Sequence, residues 1–127
     1  MDWGRIAIAL VLGAHGIGHV MGWMPAFGVT IEGVSGRSWV LSDPLGEALT
    51  RIIATVLWVI PTVGFLAMAY GWYAGLAWWE PVALVAAIVS LVAIALFPDA
   101  LPLMSRIGAL AVDVVVLAVL IRERVPA

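Results

Sequence analysis

Four stretches of this chain, at about 4–24, 44–70, 81–97 and 102–121, are apolar over lengths close to the roughly 20 residues that a helix needs to cross a bilayer. The 127 residues make one domain at most. Their hydrophobic fraction is 65% and their charged fraction 11%, against about 45–50% and about 25% in a soluble domain. A chain this short has too little interior to hide so much apolar surface, so its solvent must be lipid. The expectation is an all-α membrane protein: a single domain over 1–127, built as a four-transmembrane-helix bundle.

Punctuation supports these spans. The first stops at Pro25. It lacks a basic start stronger than Arg5 and a clear small-residue cleavage site, so it reads as a span rather than a signal peptide. Asp43-Pro44 predicts the start of the second helix, with aspartate as cap and proline in the first turn. That helix is expected to run to about Tyr70, before Gly71, and to bend at Pro61, freeing the carbonyl of Leu57. Glu80-Pro81 and Pro98-Asp99 bracket the third, and Arg122-Glu123-Arg124 close the fourth. The aromatic turn "GWYAGLAWWE" suits a membrane interface. In the 25–43 loop, two runs rich in β-branched residues flank Ser35-Gly36. They predict a small β-hairpin over one mouth of the bundle, with an irregular loop as the alternative.

Absences narrow the chemistry. There is no cysteine, hence no disulfide, thiolate metal site or cysteine nucleophile. All six basic residues are arginine, the net charge is −2 and no basic run exists, so nucleic acid is not an expected partner. Nothing points to a bound nucleotide. Four spans put both termini on one side with Arg5, Arg122 and Arg124, and the excess of arginine favours the cytoplasm for that side.

Polar residues inside spans are costly and normally face the bundle interior. His15 and His19, the only histidines, stand one turn apart on the first helix. Glu47 and Arg51 form an i,i+4 pair on the second, and Arg106 and Asp113 share a face of the fourth. By depth, all are expected in the half of the membrane opposite the termini. The third helix offers only Ser90 among alanines and reads as packing material. Gly18 and Gly22, with Ala14 a turn earlier, form a small-residue row for close helix contact, within the chain or between copies in a homo-oligomer.

Each feature carries a bland and a sharp reading. His15 and His19 are either hydrogen-bonded within a polar core or functional. As functional groups they could bind a metal (completed by Asp113, Glu47 or Asp99), ligate haem, or move protons. Arg51, Arg106 and Asp113 are either an ion-pair network locking the helices or a guanidinium–carboxylate site for a lipophilic ligand. Trp58, at mid-span, either packs in bulk or lines that cavity. The other six tryptophans form an interfacial belt.

The stretch "LGAHGIGHVMGW" resembles the first helix of the DoxX-like families, small four-helix membrane proteins of bacteria and archaea. Those helices carry an aliphatic run, "HG", then a basic residue and a glycine. His15-Gly16 matches the "HG", and His19 stands where a lysine is common. It is still more similar to four-span proteins whose first helix reads roughly "LHGLIHLLGF", which match both histidines. "SLVAIALFPDALPLMSRIGAL" resembles their junction between the third and fourth helices. The resemblance implies a bacterial or archaeal cytoplasmic membrane and association with membrane redox systems, including a thiosulfate:quinone oxidoreductase. The leading expectation is binding of a lipophilic small molecule, such as a quinone, in a redox complex. His15, His19, Glu47, Arg51, Trp58, Arg106 and Asp113 would line the site. One alternative is a membrane enzyme of isomerase, cyclase or epoxide hydrolase type. It would use Asp113 as base, Arg51 as electrostatic stabiliser and His15 beside them. The other is a metal- or haem-binding, or purely structural, accessory subunit.

Overall fold

A computed structural model describes residues 1–124. Its helices are α1 (Trp3–Gly18), the single turn α2 (Val20–Trp23), α3 (Ser42–Ala74), α4 (Trp79–Leu96) and α5 (Leu103–Arg124). A 3-10 turn, Met24–Phe27, continues α2, so that Trp3–Phe27 is one apolar rod with a break at His19. Four segments are long and apolar enough to cross a membrane: this rod, α3, α4 and α5. Their outward faces are aliphatic, with Leu10, Ile17, Ile52, Val63, Val85 and Val115 all exposed. Such a surface is stable only against lipid, and the chain is an integral membrane protein on that ground.

The bundle is assembled in chain order. The first rod packs on α3, α3 on α4 and α4 on α5, whereas α1 and α5 meet only sparsely. Small residues set the close approaches. An added Cβ at Gly16 would meet Phe65 Cβ and the Thr62 carbonyl, both at 3.1 Å, and one at Gly64 would lie 2.7 Å from Ala86 Cβ. Gly22 supports the indole of Trp58, which an added Cβ would strike. Gly18 has nothing within 4 Å and is exposed. The close-packing glycines of the first rod are therefore Gly16 and Gly22, not the Gly18/Gly22 row of the sequence reading.

The β-hairpin does not form; among the described residues there is no strand. The backbone and side chains of residues 28–41 bond to the end of α4 and to themselves as turns. The Ser35 amide donates to the Asp99 carbonyl (2.8 Å) and the Trp39 indole to the Ala95 carbonyl (2.7 Å). Gly28 and Gly33, both with positive φ, turn the chain where a strand would have to run straight. The start of the second span differs as well. Asp43 is not a cap: the first turn begins at Ser42, the backbone breaks at Gly46 (φ 79°, ψ 168°), and Asp43 pairs with Arg37 at 2.7 Å. Its far end passes Gly71, which lies against Trp79 (2.8 Å from an added Cβ to Trp79 Cβ), and stops at Gly75, whose left-handed backbone (φ 70°) caps it. The helix continues through Pro61, and Thr62 beside it donates to the Trp58 carbonyl (2.7 Å).

Two apolar clusters fill the interior. One holds Leu12, Phe65, Met68, Ala86, Val116 and Leu120. The other holds Ala54, Trp58, Ile94, Phe97, Leu101 and Ala109. On every helix the polar residue falls between the two: Ser90 between Ala87 and Ala93, and Asp113 between Ala109 and Val116. The fold predicts opposite fates for two glycines. Gly22→Ala should lower unfolding stability by about 1–3 kcal/mol through overpacking on Trp58. Gly18→Ala should not lower it. Reversible unfolding in mixed micelles measures both.

Candidate functional site

The polar layer is a closed hydrogen-bonded chain. His15 Nε2 lies 3.0 Å from Asp113 Oδ1. Ser90 Oγ lies 2.5 Å from Asp113 Oδ2 and 2.6 Å from His19 Nε2. His19 Nδ1 lies 2.8 Å from the His15 carbonyl. The break at His19 makes the last contact available: its own amide donates to the Gly16 carbonyl instead, tightening the backbone, and the imidazole turns back onto His15 O. Relative exposure is 0% for Ser90 and Asp113 and 1% for His19, so none of these three is satisfied by solvent.

Aromatic rings close the layer above and below. His15 meets Phe65 edge to face at 4.3 Å between centroids, and His19 stacks on the same ring at 5.6 Å. Trp58 tilts over His19 at 5.8 Å from the other side. The two imidazoles meet at right angles, 4.5 Å apart. Trp58 is wholly buried, with its Nε1 unpartnered, and therefore packs against the site rather than lining a cavity.

A count of hydrogens assigns the chain's protonation. Four hydrogen bonds need four hydrogens. Two neutral imidazoles and one hydroxyl bring three, and a carboxylate brings none. For all four contacts to carry a hydrogen, the closed chain must hold one further proton, which makes it neutral overall. Two arrangements satisfy every bond. In the first, Asp113 is protonated and donates to Ser90, which donates to His19 Nε2. In the second, His19 is the imidazolium and donates to Ser90, which donates to the Asp113 carboxylate. Ser90 reverses its hydroxyl between them, as a proton relay would. In both, His19 Nδ1 donates to the His15 carbonyl and His15 Nε2 donates to Asp113.

Of the residues expected at the site, His15, His19 and Asp113 come together with Trp58 packed against them, and Glu47, Arg51 and Arg106 do not join them. Glu47 and Arg51 are exposed at the mouth of α3, around a shallow polar pocket of about 210 Å³ shared with Ser35, Arg37 and Ser42. Arg106 sits at the α4–α5 turn, where Nη2 donates to the Leu101 carbonyl (3.5 Å) and lies 3.7 Å from Asp99. Asp113 thus has histidine and serine as partners, not arginine. The sequence reading missed Ser90. Its one signal was position: it continues the buried row of Ala83, Ala86, Ala87 and Ala93 on α4. A lone hydroxyl on a helix face that is otherwise all small and buried has to meet another polar group.

His15, His19 and Asp113 each offer a ligand atom within 4.8 Å of the others. Donor atoms on one tetrahedral zinc-sized ion stand about 3.3 Å apart, given bonds of roughly 2.0–2.1 Å. The set would have to draw inward and give up the Ser90 bridge to bind one, so the residues fit a metal only after rearrangement. Comparison with protein-family models, curated proteins and solved structures finds no match for this chain.

Three substitutions follow from the closed chain. Asp113→Asn can reproduce every bond, its amide donating to Ser90 and its oxygen accepting from His15. It should keep stability within about 0.5 kcal/mol. Ser90→Ala leaves His19 Nε2 and Asp113 Oδ2 buried without partners and should cost about 1–2 kcal/mol. Arg51→Gln, outside the chain, should again change stability by less than about 0.5 kcal/mol. Denaturant titration in micelles reads all three, and a large loss in Asp113→Asn would refute the neutral chain.

Proposed function

We propose that this protein binds a lipophilic small molecule with a polar head, laterally from the membrane, in the crevice between α1 and α5. One observation carries this reading: two cavities lie along that crevice, share wall residues and differ in character. The larger, about 520 Å³, is wholly apolar and is walled by Leu12, Met68, Trp72, Trp79, Val116 and Leu120. The smaller, about 280 Å³, reaches His15, His19 and Ser105 between Gly18 and Gly108. Val11 and Val112 line both, so a tail in the first leads to a head in the second. Known ligand sites fall in the range of about 300–1,000 Å³ and pair apolar walls with a few polar groups. The rim is made of exposed Ile8, Val11, Val115 and Val119, so a membrane-dissolved molecule can reach it without crossing water.

A quinone-type molecule has this shape, and the resemblance of "LGAHGIGHVMGW" to DoxX-like first helices supports a place in a membrane redox system. We place the chain in a bacterial or archaeal cytoplasmic membrane with Arg5, Arg122 and Arg124 on the cytoplasmic side, following the arginine asymmetry. The alternative reading as an enzyme with Arg51 beside Asp113 finds no support in the geometry, which separates them.

Gly108 lines the smaller cavity and an added Cβ there has nothing within 4 Å, so Gly108→Leu is the variant chosen to fill it. Native mass spectrometry of the purified protein should find a lipophilic molecule with one polar head, at about one per chain, and Gly108→Leu should lose it. A protein carrying only bulk membrane lipid, retained equally by Gly108→Leu, would overturn the proposal.

A further inference from the structure

The tautomer of His15 bears on the chemical class of the head. The inference rests on the lateral-binding reading above. In both arrangements of the closed chain, His15 spends its single hydrogen on Asp113 through Nε2. Its Nδ1 is then a bare acceptor. Nδ1 has no partner among the described residues, nor is it among their buried unpartnered atoms, so it opens onto the smaller cavity that His15 lines. His19 shows no such face, since both of its nitrogens are engaged. The polar end of the crevice therefore presents an imidazole acceptor, held in one tautomer by a buried acid.

We infer that the head of the bound molecule is a hydrogen-bond donor, such as the hydroxyl of a phenol or quinol, held by His15 Nδ1. A head that can only accept, such as a quinone carbonyl or an ether, would set lone pair against lone pair there. His15 could hold it only by changing tautomer, and that would leave Asp113 Oδ1 without a donor. The exposed Ser105 hydroxyl, on the opposite wall of the cavity, can give or take a hydrogen bond and so does not reverse the preference. The site is thus built to favour the reduced, hydroxylated form of a quinone-type molecule. No electron transfer is needed for that preference.

The test uses the whole protein in nanodiscs and three probes with the same alkyl tail: an alkylphenol, its methyl ether and the alkyl-benzoquinone. The alkylphenol should bind about 3- to 10-fold more tightly than either of the others, the worth of one hydrogen bond. Nitrogen-15 spectra of histidine-labelled protein give a readout that needs no variant. They should show one imidazole whose Nδ1 is unprotonated, and the alkylphenol alone should shift that resonance. Equal binding of the three probes, tighter binding of the quinone, or a protonated Nδ1 on His15 would overturn the donor inference while leaving lateral binding in place. Failure of all three probes to bind, with no lipophilic molecule retained on purification, would instead overturn the lateral-binding reading.

Discussion

A carboxyl group placed between two apolar clusters at the centre of a helical bundle has to be neutralised and fully hydrogen-bonded. The rest of this structure follows from how Asp113 meets that demand. One oxygen takes the imidazole of His15 from α1, and the other takes the hydroxyl of Ser90 from α4. His19 closes the chain from the break beyond α1. Three spans are joined at one level by these bonds. Buried polar groups are poor sources of net stability, but they penalise misaligned packings in which a donor or acceptor is left bare. We assign the layer that role alongside its chemistry.

The crevice is the counterpart of this bonding pattern. Gly16 brings α1 against α3, and Gly64 and the alanine row bring α3 against α4. Nothing comparable draws α1 to α5. Their contact is sparse, and the His15–Asp113 hydrogen bond is the direct polar link between them. Gly18, expected from the sequence to pack, and Gly108 instead leave space beside that link. A polar contact thereby lies near an apolar cavity walled by valine, leucine and tryptophan.

Much of this was legible in the residue order. The spans could be read because helix length in a bilayer is set by its thickness, and prolines or charges mark each end. His15, His19 and Asp113 could be picked out because polar groups are rare at that depth. Ser90 was undervalued because a single hydroxyl among alanines is ordinary until its neighbours are known. Arg51 and Arg106 were overvalued because helical angle and depth place them on the right faces, yet a turn of helix separates a buried position from a mouth. The hairpin in the 25–43 loop failed for a related reason. β-branched residues favour extended backbone, but Trp39 found its partner on α4 and Ser35 in the turn after it.

The sequence by itself determined that the chain crosses a membrane as four helices, because apolar surface on this scale has no other solvent. It also determined that the charge left inside would be sparse enough to require pairing. Only the tertiary structure decided which groups pair. Hydrogen bonds are short and directional, and a difference of one helical turn moves a side chain by about 5 Å. Asp113 therefore found histidine and serine rather than arginine. The pair His15 and His19, alike in the sequence, became unlike in space: one sealed with both nitrogens bonded, the other with one nitrogen facing the crevice.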